Sequence, residues 1–487
     1  MIRQIPTSRL RSIGNKPINH DGEYVVYWMV GARRSHYNFA LQHAIERAKE
    51  HNVGLIVFEP LRVNYPWASE RHHHAIIAGM RDNAKAFEPG PVLYYPYVES
   101  SQGEGRGLLA ALAKRACLIV SDDTPGFFQP RMQMEASDKI SIRLEIVDGN
   151  GIYPIRETER IFTTAASFRR HLQKELPDHL ACVPLKNPLA KVSLRPVPKL
   201  GESHLRRWPK ATFEDNAPRL AKLPIDHAVG AVALPSGPVA ARKALKQFLA
   251  ERYPDYLEKR NQPEAECQSY LSPHLHFGHI SSHEIFVTLM KQDGWTPERL
   301  AVKANGSRNG WWGASEAAEA FLDQFITWRE IGFNMATLHP RFKEFHSLPA
   351  WAQKTLEEHE SDVREFQYNL EAFEFSNTHD PLWNAAQTQL RTEGIMHNYL
   401  RMLWGKKILE WSPTPRAALA TMLELNNKYA LDGRDPNSYS GIFWTLGRYD
   451  RAWGPERPIF GKVRYMSSDN TARKVRVRNY IERYSHV

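Results

Sequence analysis

Trp383, Trp404 and Trp411 are the residues of this chain whose type and spacing most clearly offer chemistry. They lie in PLWNAAQTQLRTEGIMHNYLRMLWGKKILEW, which reads as two helices broken near Glu393-Gly394. Trp404 and Trp411 are two helical turns apart and therefore share one helix face. Trp383 stands on the preceding helix. Indole rings are large and oxidisable, so a row of them can carry an electron between a protein surface and a buried redox centre. Any one tryptophan is more often core filler. Three in one motif-dense helical segment shift the balance toward the relay only through the sequence around them.

The elements that must position these rings follow two patterns. Up to about Arg156, strand-like and helix-like runs alternate. YVVYWMV precedes a helix HYNFALQHAIERAKEH that Ser35 is placed to cap. VGLIVFEPL, a helix near 72–86, VLYYPYV, a helix near 108–115, ACLIVSDD, IRLEIVDG and IYPIR continue the series. This predicts an α/β domain over residues 20–165, a Rossmann-like doubly wound parallel sheet. GEGRG at Gly103 lacks the spacing of a dinucleotide fingerprint and follows no evident strand, so the sheet carries no expectation of NAD. Over 166–237 the pattern degrades around Pro184, Pro188, Pro196, Pro198 and Pro209, as in an extended linker. Helical periodicity then dominates, predicting an all-α domain over 238–487.

Composition narrows the partners. The chain has 64 Lys+Arg against 54 Asp+Glu, a net charge of +10 that favours a polyanion. From Phe460 onward Lys462, Arg464, Arg473, Lys474, Arg476, Arg478 and Arg483 face only Asp469 and Glu482, with aromatics interleaved, a pattern suited to tracking phosphates. Three scattered cysteines, Cys117, Cys182 and Cys267, exclude a disulfide framework and any four-cysteine zinc or iron–sulfur site. His72-His73-His74 point in different directions on a helix, cannot share one ion, and are expected as a surface run. No metal is expected. No apolar run approaches the ~18–20 residues of a membrane span, and MIRQIPTSRLRSIGNKP lacks the apolar core of a secretory signal. A cytoplasmic monomer with no membrane or obligate protein partner is expected.

LRMLWGKKILEW, LNNKYALDGRDPNSYSGIFW and RAWGPERPIFGKVRYM closely resemble the C-terminal half of class II DNA photolyases, in the photolyase/cryptochrome family. SYLSPHLHFGHIS and FLDQFITWRE resemble that family's flavin-binding and active-site segments, in the expected order. The resemblance is specific from about Tyr256 and weaker over Tyr24–Leu180. It implies light-driven repair of cyclobutane pyrimidine dimers in UV-damaged DNA, by electron transfer from reduced FAD to a flipped-out dimer. A (6-4) photoproduct photolyase and a cryptochrome-like blue-light receptor are the alternatives on the same fold.

The resemblance also implies roles for residues. Ser269, Leu271 and Ser272 match the grip on the FAD pyrophosphate, where hydroxyl residues leading into a helix supply donors. Tyr256 matches a further flavin contact, and Arg329 a cationic partner. Asn426 matches the amide beside flavin N5, with Asn398 opposite, where class II members usually carry glycine. Asp432 and Asp435 match residues near the flavin and its ribose or adenine, and Arg401 is placed to pair with a buried aspartate. Trp328 and Trp444 match aromatic walls for the dimer, and Met402 a thioether packed on it.

Gln324 departs from the pattern. It occupies the place of a usual glutamate, keeping a hydrogen bond but holding no transferable proton. Glutamine occurs there in (6-4) enzymes, but Met402 stands where those need a histidine acid. Arg464 matches a residue that enters the gap left by the dimer, with Arg451, Trp453 and Arg457 lining the same region. Trp404 is expected nearest the flavin, followed by Trp383 and Trp411, as a route for photoreduction. A deazaflavin-type antenna is usual among class II relatives, but no residue set here assigns one.

Overall fold

In a computed structural model, residues 5–213 and 220–485 are described. Six strands form one sheet: β1 (Leu10–Ile13), β2 (Tyr24–Trp28), β3 (Gly54–Leu61), β4 (Leu93–Val98), β5 (Ala116–Asp122) and β6 (Leu144–Val147). Their order is β1-β6-β5-β2-β3-β4, all parallel except the edge strand β1 against β6. Helices α1 (Phe39–Glu50), α2 (Glu70–Phe87), α3 (Leu108–Ala113) and α4 (Gln129–Lys139) make the crossovers. With helices on both faces, the inner strands are buried and predominantly apolar. Tyr24, Val26 and Trp28 thus pack with Ile56 and Ile119 on one face, while Val25 and Tyr27 pack with Leu55 and Val120 on the other. The alternation of the sequence had this outcome built in.

Several local expectations are corrected. The sheet reaches back to Leu10, ahead of residue 20. The cap of α1 is Asn38, whose Oδ1 accepts from Leu41 N at 2.9 Å, because Ser35 lies too far ahead of the first turn. IYPIR is a turn segment and not a strand, since the Ile152 and Tyr153 amides donate to the Glu330 carboxylate (2.8 and 3.2 Å). The GEGRG turn does follow a strand, β4, and leads into α3. Its Gly103 and Gly105 amides are already spent on Glu99 Oε1 (2.9 and 3.2 Å).

The histidine run is also corrected. Only His74 is exposed, and His72 and His73 are fully buried. They sit where α2 meets the helical part, and His72 Nε2 lies 3.3 Å from the Ala430 carbonyl. Arg71 beside them donates to the Tyr429 and Arg391 carbonyls, each at 2.6 Å. The stretch expected as linker opens with a helix, α5 (Ala165–Glu175), and returns Trp208 to the core of the sheet. Residues 214–219 of that stretch, and residues 486–487, lie outside the described residues.

The C-terminal part is helical. It includes α6 (Pro238–Gln247), α7 (Ser282–Gln292), α8 (Glu316–Leu322), α9 (Arg329–Leu338), α10 (Pro381–Glu393), α11 (Asn398–Trp411), α12 (Pro415–Tyr429), α13 (Pro436–Thr445) and α14 (Ser468–Lys474). One core cluster runs through it, with Trp383, Trp404 and Trp411 inside. Asp380 caps α10 by accepting from the Leu382 and Trp383 amides. Gly394 ends it at φ 70°, a conformation glycine adopts without penalty. A π-helical turn, Asp323–Trp328, joins α8 to α9.

Candidate active site

A cavity of about 1320 Å³ opens among these helices. That exceeds the ~300–1,000 Å³ of an ordinary small-molecule site. The π turn makes one side of it. A π turn takes an extra residue and re-aims the side chains that follow, and such turns recur at functional sites. Here it brings Gln324 and Trp328 to the cavity. Arg169 of α5 anchors the turn from behind through Asp323 (2.6 Å). Met402 of α11 and Trp444 of α13 face the same space.

The deeper wall is polar. Ser269, Leu271 and Ser272 line it as the chain enters a short helical turn, Ser272–His276. Arg401 reaches Asp432 at 3.2 Å and Asn426 Oδ1 at 3.5 Å. Burial opposes ionisation of Asp432, yet Arg401 and Ser272 hold its carboxyl below the ordinary value. Asn398 and Tyr256 also line the wall. At the mouth Arg464 grips Asp450 with two bonds (2.8 and 3.1 Å) and lies 4.0 Å from the Trp453 ring centre. Arg451 and Arg457 complete this basic rim.

Behind the cavity the indoles are in sequence. Trp383 Nε1 donates to the Trp404 carbonyl at 3.0 Å, and the Trp383 and Trp411 ring centres are 5.9 Å apart. Trp404 is oriented by its own Nε1 bond to Gln387 at 2.9 Å. Trp411 is itself buried, covered by Tyr368 and the exposed His379.

A second, smaller cavity of about 160 Å³ lies at the C-terminal ends of the strands. This is the crevice between β2 and β5, the switch point where doubly wound sheets hold nucleotides. Asp122 Oδ2 fills it, accepting from the Val30, Gly31 and Ala32 amides (2.9, 2.7 and 3.0 Å).

Relatives decide the family. The chain is 35% identical over 483 residues to deoxyribodipyrimidine photo-lyase of Methanothermobacter thermautotrophicus, covering 98% of each. It belongs to the photolyase/cryptochrome family. It is also 31% identical to the photo-lyase of Arabidopsis thaliana, covering 96% of this chain and 90% of that one. The crystal structure of a class III photolyase from Agrobacterium tumefaciens shares the fold, with TM-score 0.66 at 16% identity over 95% of this chain and 86% of that one. No family profile matches the chain.

Apart from the indole row, the residues matched in sequence fall into four groups. Tyr256, Ser269, Leu271, Ser272, Gln324, Trp328, Asn398, Arg401, Met402, Asp432, Trp444, Arg451, Trp453, Arg457 and Arg464 line the large cavity. Asn426 sits just behind its wall, giving Nδ2 to Ser438 at 2.9 Å. Asp435 instead caps α13 and faces the smaller cavity. Arg329 borders both cavities, but its guanidinium donates to the Asn150 carbonyl (2.9 Å) across the domain boundary and to Ser282 (3.4 Å) within the helical part. Sequence reading missed Asp450, the acid that fixes Arg464, although RYDRAW places it among the arginines. The basic tail is partly neutralised, since Arg483 pairs with Glu266 and Glu393, and Arg478 with Glu482. Among the described residues no cluster is placed to hold a metal ion, and no helix is long and apolar enough to cross a membrane.

Proposed function

We propose that this protein is a light-driven DNA photolyase of class II type, acting on cyclobutane pyrimidine dimers with FAD as its electron source. The observation that carries the reading is the make-up of one cavity: aromatic and thioether walls beside a polar pocket with hydroxyl and guanidinium donors. FAD fits this donor set. Ser269 and Ser272 offer hydroxyls to a pyrophosphate, and Arg401, balanced by Asp432, offers a fixed charge. Asn426 supports this wall from behind through Arg401 and Ser438.

When bound, reduced flavin supplies on illumination one electron to the dimer and recovers it after the ring opens. The chain's residues do the rest. Trp328 and Trp444 stack on the extruded bases, each stack contributing roughly 1–3 kcal/mol. Met402 packs its soft sulfur on the same lesion. Gln324 hydrogen-bonds a pyrimidine edge without transferring a proton. Arg464, held flat by Asp450, fills the place the dimer leaves in the duplex, and Arg451 and Arg457 meet phosphates. Trp404, Trp383 and Trp411 carry electrons inward to restore the reduced state.

A deazaflavin-type antenna does not fit the smaller cavity. Its volume is below that of a small-molecule site, and Arg434 and Phe127, 5.6 Å apart, are among the side chains that line it. We assign no second chromophore there.

Gln324 favours a second reading, (6-4) repair, against which Met402 leaves no general acid at the matching position. The test is illumination of photoreduced protein with two oligonucleotides, one carrying a thymine cyclobutane dimer and one a (6-4) lesion. Restoration of the first alone is expected. Restoration of only the second overturns the substrate, and restoration of neither by flavin-loaded protein makes it a light sensor.

A further inference from the structure

Lys406 is fully buried, does not line the cavity, and has no part in the scheme above. It lies on α11 where that helix packs against α13. The two helices approach closely because residue 405 is glycine; a Cβ there would stand 2.6 Å from the Thr445 side chain. Lys406 Nζ donates to the Thr445 carbonyl at 2.5 Å, at the C-terminal end of α13. It also stands 5.2 Å from the centre of the Trp444 ring. An ammonium there meets the negative end of the helix dipole and the negative face of an indole.

The surroundings are sparse in charge. No residue of α13 is charged. Lys407, next on α11, turns instead to Glu410 (2.7 Å) and the Trp411 ring. The charges acting on Lys406 are Asp450 and Arg464. Arg464 is itself 5.6 Å from the same Trp444 ring. Trp444 therefore lies within reach of both a buried ammonium and a guanidinium of the rim.

We propose that Lys406 is a positioning residue for lesion recognition: its ammonium seats the Trp444 ring on which the extruded base stacks, and neutralising it unseats that ring. The recognition half rests on the assignment of Trp444 as a lesion wall; the seating half does not. Burial pulls the Lys406 pKa down to about 7, with Asp450 opposing and Arg464 reinforcing the fall. The neutral amine keeps an N–H for Thr445 but loses its attraction to the ring and the dipole.

The test uses the full-length protein labelled with 5-fluorotryptophan and followed by fluorine NMR. The Trp444 signal, assigned by its loss in Trp444→Phe, is expected to titrate near pH 7 and to be pH-independent in Lys406→Met. Methionine is of similar length and carries no charge, though it gives up the donor to the Thr445 carbonyl. A Trp444 signal in the unsubstituted protein that does not move around neutral pH overturns the proposal without any variant. So does equal movement in Lys406→Met.

The second arm measures affinity for a duplex with one thymine dimer, relative to the undamaged duplex. Roughly tenfold weaker relative binding is expected about two pH units above the midpoint than about one unit below it, about 1.4 kcal/mol. That difference should vanish in Lys406→Met. If Trp444 titrates but the binding ratio is flat, the recognition role is overturned while the seating stands. If no dimer is bound at any pH, the repair reading fails with the recognition role, and the NMR result still decides the seating.

Discussion

The molecule has two crevices where its architecture could hold a nucleotide, and they have been treated oppositely. At the switch point of the sheet, the three amides that would cradle a phosphate all serve Asp122. The glycine turn after the edge strand β4 is likewise given to Glu99. In the helical part, Ser269, Ser272 and Arg401 border a space about eight times larger. A nucleotide-binding fold thus need not bind one. What differs is the room left beside the donors: the sheet amides close around one carboxylate, whereas Ser269, Ser272 and Arg401 border a large open space.

The sharpest division between the halves concerns the indole row. Trp404→Phe is expected to abolish photoreduction of oxidised flavin while chemically reduced protein still repairs dimers. Transient absorption and single-turnover repair check the two halves separately. Repair lost with photoreduction would move Trp404 into the repair step.

Next in size are changes confined to the sheet side. Asp122→Ala strands three backbone amides and is expected to cost about 3 kcal/mol in denaturant unfolding, yet leave flavin content per folded molecule unchanged. Glu330 joins the halves by accepting from Ile152 and Tyr153, and burial raises its pKa to about 7 even against Arg329. The folded chain then holds a proton that the unfolded chain releases near the ordinary value of about 4.3. Stability should therefore fall as pH rises from about 4 to about 7, by at most about 4 kcal/mol. Unfolding midpoints of Glu330→Gln across that window should be flatter.

The smallest effects belong to the proposed lesion walls. Trp328→Ala and Trp444→Ala should each weaken dimer binding by about 2 kcal/mol, near thirtyfold, with flavin retained. Fluorescence anisotropy on a lesion-bearing duplex measures this. Equal losses on undamaged DNA would remove both residues from lesion recognition.

What was legible in the sequence follows the same division. Strands β2, β3 and β5 read clearly because burial on both faces forces unbroken apolar runs. The tryptophan helices read clearly because Gly394 separates them. His72 and His73 did not, since their burial is decided by α2 docking on a segment centred at Ala430, far along the chain. The π turn at Asp323–Trp328 leaves no mark in residue pattern, although it aims Gln324 and Trp328. Asn426, Asp435 and Arg329 were found as site residues by motif alone. Motif cannot tell a residue facing a cavity from one behind its wall or shared between two cavities. Lys406 in GKK has the look of a solvated charge, and only the close approach of α11 and α13 makes it a buried one.

The most direct test of the contrast is flavin bound per protein, read by absorbance after purification, in two variants. Arg401→Met with Asp432→Asn removes the charged pair together and so leaves no unpaired buried charge. Asp122→Ala empties the crevice of the sheet. The first variant, folded by circular dichroism, should lose flavin and the second should keep it; flavin lost from the second and retained by the first would contradict the account.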